Sequence, residues 1–313
     1  MKTGWKVVAD IFVYLAVSAF TFMLVFDKIP MIRPFERGFY CDDQSIMYPI
    51  VEESIDDGTI IAMSLLIFPA AVIIVELFYA CYNGSCSDIR GTMWVYIKNL
   101  YRTVGSYLFG GTATILVVET LKLFFGRLRP NFIAMCRPNF TAIDCTQGFI
   151  REFHCNETDE EVLADLRKSF PSGHSAAAAY GMLFLAVYLQ FRLLLKWVRL
   201  LRPLLQTLVI ILGVFICASR LQDYRHHPGD VIGGAIVGAL GCLLTVIFLS
   251  DKMHYMNRSY LRKMEELNKT QMQMGQYYKG NDNFAFRDSA FSINMNQLSV
   301  KNGQDRHSET ALP

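Results

Sequence analysis

Six long apolar stretches decide what this chain of 313 residues can fold into. They cover residues 7–26, 59–82, 103–125, 175–191, 203–219 and 231–250. None carries more than two charged residues, and a membrane-crossing helix needs about 20 mostly apolar residues. Helices of soluble proteins normally keep a polar stripe, which these stretches lack. The pattern therefore predicts an all-α, polytopic membrane protein with six transmembrane helices.

The first stretch also has features of a secretory signal peptide, because Lys2 and Lys6 precede it. No cleavage site with small residues follows it, since residues 27–30 read Asp-Lys-Ile-Pro. We interpret it as a retained first span. Residues 1–250 then form the membrane core. Residues 251–313, rich in Asn, Gln, Ser and Lys, are predicted to be a largely disordered tail.

Charge excludes some partners and sets the orientation. The 30 Lys and Arg residues nearly balance 28 Asp and Glu residues, so the chain is not a polybasic nucleic-acid binder. The short loop 192–202 holds four cations, which favours the cytosolic side for this loop. With six spans, both termini are then also cytosolic.

In this orientation the outer loops carry paired-cysteine and glycosylation candidates. The outer cysteines are Cys41, Cys136, Cys145 and Cys155. In an oxidising space they can form two disulfides in three connectivities, and three of them share one loop, so a local bridge is expected. Two Asn-x-Thr sequons in that loop, at Asn139 and Asn156, are candidate glycosylation sites.

Three polar clusters interrupt this apolar chain. Because each span carries the chain to the opposite side, the span count places all three clusters at the same membrane face. They are residues 122–130, 169–175 and 219–230. Lys122, Arg129 and Arg220 are three cations at one depth, and burying them without an anion is expensive. Guanidinium groups match phosphate oxygens and lysine adds a point charge. We expect a phosphate site here, the alternative being side chains that reach lipid headgroups.

The second cluster contains Pro171-Ser172-Gly173-His174 at the predicted start of a helix. The first N–H groups of a helix lack internal partners and bind anions readily. Gly173 allows close approach of a ligand to this backbone. Ser172 is expected to cap the helix or to donate to a phosphate oxygen. The alternative is an ordinary cap beside an uninvolved His174.

The third cluster contains a candidate nucleophile. His226 and Asp230 are four residues apart and share a face if the helix reaches back to His226. Asp230 would then hold one imidazole N–H and leave a lone pair on the other nitrogen, as in a catalytic triad. His227 competes for this contact, and a purely structural His–Asp hydrogen bond is the alternative. Zinc or iron ligation by these side chains is disfavoured by the three nearby cations, so we expect no metal and no cofactor.

Together the clusters read K-x6-R-P, P-S-G-H and S-R-x5-H-x3-D. This combination resembles the type 2 phosphatidate phosphatase superfamily. Residues 37–43 (Arg-Gly-Phe-Tyr-Cys-Asp-Asp) and 126–130 (Gly-Arg-Leu-Arg-Pro) are similar to animal lipid phosphate phosphohydrolases, also called phospholipid phosphatases. The resemblance covers about residues 33–251 and leaves the tail unmatched.

The resemblance implies metal-independent hydrolysis of lipid phosphate monoesters at an outward-facing or luminal active site. Carried onto this sequence, it makes His226 a nucleophile that forms a phosphohistidine and Asp230 its orienting group. It makes His174 the acid for the leaving alkoxide and then the base for water. The phosphoryl oxygens would be held by Lys122, Arg129, Ser172, Gly173 and Arg220.

The resemblance leaves several choices open. Phosphatidate, lysophosphatidate, sphingosine 1-phosphate and ceramide 1-phosphate all place a phosphate at the interface and their chains in lipid. A catalytically silent relative that binds lipid phosphates is the alternative function, although such a protein would be expected to lack His174 or His226. An anion transporter would place cations along the bilayer depth rather than at one face. We expect the plasma membrane as location. Glycines at small-x-x-x-small spacing in the last span indicate close helix packing, within the subunit or between subunits. The resemblance implies association of subunits, so a homo-oligomer is expected.

Overall fold

The computed structural model describes residues 2–26, 29, 31–83, 89–193 and 198–249. Within these residues, six helices are long and apolar enough to cross a membrane: Gly4–Val25, Asp57–Phe78, Tyr96–Phe125, Gly173–Arg192, Leu201–Gln222 and Pro228–Phe248. Each matches one of the six predicted stretches, so the predicted six-span all-α fold is confirmed. The predicted disorder of residues 251–313 concerns a segment that lies outside the described residues.

The described part of the chain contains eight α-helices and one two-stranded sheet. In order these are α1 (Lys2–Val25), β1 (Phe39–Tyr40), α2 (Asp57–Asn83), α3 (Ile89–Phe125), α4 (Phe132–Cys136), β2 (Phe149–Ile150), α5 (Glu160–Asp165), α6 (Gly173–Arg192), α7 (Leu201–Gln222) and α8 (Pro228–Leu249). Helix α3 begins well before the predicted span at residue 103. Its first turns carry Arg90, Lys98 and Arg102, so they fall outside the apolar stretch, which marks only the part of a helix that lipid can cover.

Helix α6 lies at the centre of the bundle. Its span is 67% buried, whereas the span of α1 is 11% buried. It packs against α2, α3, α7 and α8, while α1 packs on α3. Glycines on α8 allow the closest of these contacts: a Cβ on Gly234 would collide with the carbonyl oxygen of Ser172, and one on Gly238 with that of Ala176. These glycines serve packing within one chain, and the homo-oligomer stays a prediction.

The exterior of the bundle is apolar. Phe12, Leu66 and Phe248 are 73%, 68% and 73% exposed, as expected for side chains that face lipid. Inside, the rings of Phe68 on α2 and Tyr107 on α3 stack with centroids 3.9 Å apart. The three polar clusters lie near the ends of the spans.

The segments before α2 and between α3 and α6 are joined to each other. Strands β1 and β2 pair antiparallel, with Phe39 opposite Ile150. The disulfides are Cys41–Cys145, which links the two segments, and Cys136–Cys155, which is the expected local bridge. Asn139 and Asn156 are both exposed on this unit, and their glycosylation stays a prediction. These two joined segments place their acidic residues over the ends of α6, α7 and α8.

Candidate active site

The three polar clusters meet where α3 and α7 end and α6 and α8 begin. The Ser172 amide donates to the carbonyl oxygen of Asp230 at 3.0 Å, which joins the second cluster to the third. Arg127 Nη1 lies 2.7 Å from Asp230 Oδ1, which joins the first cluster to the third. Arg220 Nη1 is 3.5 Å from His174 Nε2. Stretches about 50 residues apart along the chain thus form one polar region.

The start of α6 has the expected geometry of a capped helix. Ser172 is the N-cap, with extended backbone, and its hydroxyl oxygen accepts from the Ser175 amide at 3.3 Å. A Cβ built on Gly173 would lie 3.4 Å from Lys122 Nζ, so the lysine ammonium lies close to the first turn of α6. Capping is therefore the role of the Ser172 side chain that this structure shows. The Gly173 backbone faces the cationic side of the site.

His226 is held as a neutral base. Its Nδ1 lies 2.7 Å from the Ser169 carbonyl oxygen, and a carbonyl can only accept, so Nδ1 carries the hydrogen. Nε2 therefore has the lone pair. Burial lowers the pKa of His226 well below its ordinary value, and the charges of Arg129 and Lys122 lower it further. A neutral imidazole with a free lone pair is the form that acts as a nucleophile.

Asp230 does not contact His226, so the prediction of a direct His226–Asp230 hydrogen bond is wrong. The reason is that α8 begins at Pro228, which leaves His226 outside the helix, where the four-residue spacing no longer brings the two side chains together. The Asp230 carboxylate instead accepts from the His227 amide at 2.9 Å and from Ser169 Oγ at 2.6 Å. Asp230 therefore reaches His226 through Ser169, whose carbonyl holds the ring.

His227 is the competing histidine, and its contacts argue against a nucleophilic role. Its Nδ1 lies 3.0 Å from Asp230 Oδ2 and its Nε2 lies 3.2 Å from the Ser45 carbonyl oxygen. Both ring nitrogens thus face oxygen acceptors. A ring used in this way directs no lone pair at a substrate, which leaves His226 as the candidate.

His174 lies in the first turn of α6 and is 7% exposed. Its Nε2 is 3.1 Å from the Ile55 carbonyl oxygen, and its Nδ1 is 3.6 Å from Asp57 Oδ1. The Asp57 carboxylate therefore lies beside Nδ1, and Arg220 Nη1 lies 3.5 Å from Nε2. His174 therefore has the partner that a general acid in this region needs.

Arg129 is buried, Lys122 is half-buried, and both are paired. Lys122 Nζ lies 2.7 Å from Glu119 Oε1, one turn earlier in α3. Arg129 Nη2 donates to Asp165 Oδ1 at 2.5 Å and Arg129 Nε donates to the Asp165 carbonyl oxygen at 2.9 Å. Burial raises the pKa of Asp165, but Arg129 and Arg225 outweigh it, so the net pKa lies below the ordinary value. Asp165 is thus held as a carboxylate.

Arg220 is 1% exposed and uses its three nitrogens on neighbouring side chains. Nε donates to Ser219 Oγ at 3.2 Å and Nη2 donates to Asp223 Oδ2 at 2.9 Å. Nη1 donates to Glu53 Oε2 at 3.0 Å. Asp223 also accepts from the amide and hydroxyl of Ser54 at 2.9 and 2.7 Å, which fixes the segment before α2 on the end of α7.

These pairs revise one expectation from sequence. Three buried cations indicated an external anion, but each cation pairs with a carboxylate of the chain itself. Sequence reasoning gave no role to these carboxylates or to Arg225 and Ser169. The carboxylates are Glu53, Glu119, Asp165 and Asp223. For Glu53 the available signal was the excess of acids in the first outer loop, because the cost of burying the cations requires nearby carboxylates.

The histidines of the site were also weighed as metal ligands. Among the residues that the structure describes, no group of three or more His, Cys, Asp or Glu side chains is arranged to hold a metal ion. The Nδ1 atom of His226 donates to a carbonyl, as shown above, and is not available as a ligand.

Comparison with known proteins places the chain in a family. The model of the PAP2 superfamily matches residues 103–254, which include all three polar clusters. Phospholipid phosphatase 1 of Rattus norvegicus is 37% identical over 222 residues, covering 70% of this chain and 77% of that protein. Phospholipid phosphatase 2 of Homo sapiens is 36% identical over 239 residues, covering 75% and 80%. No solved structure matches the chain significantly. The chain belongs to the PAP2 superfamily and, within it, to the family of the phospholipid phosphatases.

Proposed function

We propose that this protein is a membrane phosphatase that hydrolyses lipid phosphate monoesters without a metal ion, through a phosphohistidine on His226. Its relatives are named phospholipid phosphatases, which supports a lipid phosphatase activity. The observation that carries the finer proposal is the state of His226. Its Nδ1 is fixed as a donor to the Ser169 carbonyl, so the Nε2 lone pair is available beside buried cations.

The phosphate group is bound by the cations of the site and by the N-terminus of α6. The phosphoryl oxygens are held by Lys122, Arg129 and Arg220, with the Gly173 N–H at the start of α6. Fixed cations and helix N–H groups stabilise the charge that develops on these oxygens, which is the main requirement of phosphoryl transfer. Ser172 contributes by capping α6 and so holding its first turn in place.

The first chemical step transfers the phosphoryl group to the enzyme. The Nε2 lone pair of His226 forms a bond to phosphorus while the bond from phosphorus to the lipid oxygen breaks. That oxygen takes the electron pair and receives a proton from His174, so that the lipid alcohol leaves. Nδ1 of His226 keeps its hydrogen bond to the Ser169 carbonyl, which stabilises the positive charge that grows on the ring.

The second step releases phosphate. Neutral His174 takes a proton from a water molecule, whose oxygen attacks phosphorus as the P–N bond to His226 breaks. The electron pair returns to Nε2, and inorganic phosphate leaves. Asp230 supports both steps at a distance, because it holds the Ser169 hydroxyl at 2.6 Å and, through its own carbonyl, the Ser172 amide.

The substrates follow from the position of the site. A phosphate at the ends of spanning helices suits lipids such as phosphatidate, lysophosphatidate, sphingosine 1-phosphate and ceramide 1-phosphate. We place both termini in the cytosol and the site on the outer or luminal side, in the plasma membrane. The disulfides and the exposed Asn139 and Asn156 lie on the same side as the site, which fits this orientation.

Phosphate release from lysophosphatidate added to intact cells tests chemistry and sidedness together. Cells that express the wild type should release phosphate, and cells that express His226→Ala at the same surface level should not. Purified protein in micelles should keep its activity with a chelator. No release by folded pure protein would favour the silent lipid-binding alternative, and loss of activity on chelation would favour a metal enzyme.

A further inference from the structure

Glu53 lies where a phosphate would be expected to bind. Its Oε2 accepts from Arg220 Nη1 at 3.0 Å, and its Oε1 forms an ion pair with Arg225 Nη2 at 2.9 Å. The same Arg220 Nη1 is 3.5 Å from His174 Nε2. A carboxylate thus bridges two guanidinium groups beside one catalytic histidine, and Arg225 adjoins the other, His226, in the chain. This is the geometry that two phosphoryl oxygens would adopt.

The charges of the site balance when Glu53 is in place. Five Lys and Arg side chains are paired with five carboxylates. The cations are Lys122, Arg127, Arg129, Arg220 and Arg225, and the carboxylates are Glu53, Glu119, Asp165, Asp223 and Asp230. Departure of Glu53 leaves one uncompensated positive charge on the pair Arg220 and Arg225. A phosphate monoester carries about −1.5 to −2 at neutral pH, so it brings more negative charge to these two guanidinium groups than the single carboxylate does.

Glu53 is also well placed to leave. Its side chain is 29% exposed, and it lies in an irregular segment between the 3-10 turn Gln44–Ile46 and α2. By contrast, Asp223 is 3% exposed and is held by Ser54 as well as by Arg220. Glu119 and Asp230 are part of spanning helices. Displacing Glu53 therefore disturbs no helix of the bundle.

We propose that Glu53 is a specificity-determining residue, an internal anion that occupies the phosphate position and yields it to a phosphate monoester dianion. This inference rests on the proposed function, because it takes the phosphoryl group as the ligand. A monoanionic phosphodiester carries no more charge than the carboxylate that it would replace. Such a diester gains nothing by exchange, so Glu53 favours monoesters over the diesters that make up the surrounding bilayer.

Binding of inorganic phosphate to the full-length protein in micelles tests this inference without turnover. Thermal stability measured against phosphate concentration gives the dissociation constant. Glu53→Gln should bind phosphate about tenfold more tightly than the wild type, if the carboxylate occupies the position about nine-tenths of the time. Glu52→Gln is the matched control, because Glu52 is the exposed neighbour in the same segment. It should bind phosphate as the wild type does.

A second probe tests the selectivity. Dimethyl phosphate, a monoanionic diester, should compete measurably with phosphate in Glu53→Gln and far less in the wild type. If Glu53→Gln fails to fold, Glu53→Asp replaces it, since its carboxylate is one methylene too short to bridge both guanidinium groups. That variant should also bind phosphate more tightly than the wild type, by a smaller factor.

The outcomes separate this inference from the proposed function. Phosphate binding by folded Glu53→Gln or Glu53→Asp that is equal to or weaker than wild-type binding would overturn the role of Glu53. If the wild type still hydrolyses lysophosphatidate, the proposed function survives that result. A wild type that neither hydrolyses lysophosphatidate nor binds phosphate would remove the proposed function and this inference together.

Discussion

Helix α6 carries a buried ion-pair network at each end, and only the N-terminal network belongs to the proposed active site. At its C-terminal end, the Glu76 carboxylate accepts from Arg192 at 2.8 and 2.6 Å. It also accepts from the Tyr188 hydroxyl at 3.2 Å and the Asn99 amide at 3.1 Å. Both carboxylate oxygens are engaged, and α2, α3 and α6 are joined. This network therefore leaves no oxygen of the Glu76 carboxylate for an external partner.

The network at the N-terminal end of α6 has the same kinds of ion pair but leaves polar atoms uncommitted. Among the described residues, Nε2 of His226 has no hydrogen-bond partner, so its lone pair is unused. Within the same residues, Arg225 Nε and both side-chain amide atoms of Asn131 are buried without a hydrogen-bond partner. Unpaired buried polar groups cost stability. One end therefore stabilises the bundle, and the unpaired polar atoms at the other end support the proposed binding site there.

Replacement of the proposed nucleophile should have the largest effect on turnover. His226→Ala removes the lone pair that attacks phosphorus, so lysophosphatidate hydrolysis should fall by about 10⁴-fold or more. Phosphate release by the purified protein measures this, with thermal stability as the control for folding. A folded His226→Ala protein with a tenth of wild-type activity would show that another group is the nucleophile.

His174→Ala should have the next largest effect, because the alkoxide must then leave without a proton. The expected loss in kcat is about 10²–10⁴-fold. A substrate with an acidic leaving group, such as p-nitrophenyl phosphate, should be much less affected, since its leaving group needs no proton. Equal losses for both substrates would contradict the role of His174 as the acid.

Asp230→Asn distinguishes the two ways of holding His226. Where a carboxylate sets the tautomer of a catalytic histidine, its replacement by an amide costs about 10⁴-fold. Here the Ser169 carbonyl sets the tautomer, so kcat should fall by only about 10–100-fold, through loosening of Ser169. A loss near 10⁴-fold in the folded variant would mean that Asp230 contacts His226 directly during the reaction.

Substitution at the opposite end of α6 should change stability and spare chemistry. Arg192→Ala leaves the buried Glu76 without its cation, at a cost of about 3–5 kcal/mol in the free energy of unfolding. Activity per folded molecule should change by less than about twofold. The double variant Glu76→Gln/Arg192→Met should recover much of the stability, because it removes both charges. A large fall in kcat for Arg192→Ala would show that the two ends are coupled.

The smallest expected effect is a pH dependence of stability. His226 has a folded-state pKa well below the ordinary value, so between that pKa and about 6.5 the unfolded state binds the proton and the folded state does not. Stability should therefore fall as the pH drops below about 6.5, by at most about 1.4 kcal/mol per unit from this group. Thermal unfolding at pH 7.5 and 5.5 should show a smaller loss in His226→Ala. Identical losses would contradict the neutral, buried state of His226.

Much of the fold was predictable from the sequence because lipid imposes a simple rule. Spanning helices must be apolar along their length, so hydrophobicity alone located all six. The number of spans between them then placed Lys122, Ser172 and Arg220 at the same membrane face, without knowledge of any contact. The start of α3 at Ile89 was not predictable in this way, since its first turns extend beyond the apolar stretch.

The details of the site depend on contacts that no local pattern reveals. The Asp230–His227 pair follows from the start of α8 at Pro228, and a shift of one turn would have given the expected pair with His226. Glu53 reaches Arg220 across 167 residues of sequence. A chain-local motif cannot indicate such a partner, although the cost of burying Arg220 alone requires that one exist.

In the proposed mechanism, His226 Nε2 forms a covalent bond to phosphorus. Rapid acid-free quenching of the purified protein with ³²P-labelled lysophosphatidate, followed by peptide mapping under alkaline conditions, tests it most directly. A phosphohistidine intermediate predicts a burst of alkali-stable label on the peptide that contains His226, and no label in His226→Ala. Hydrolysis at the full rate with no label on that peptide, or with label on His174, would contradict it.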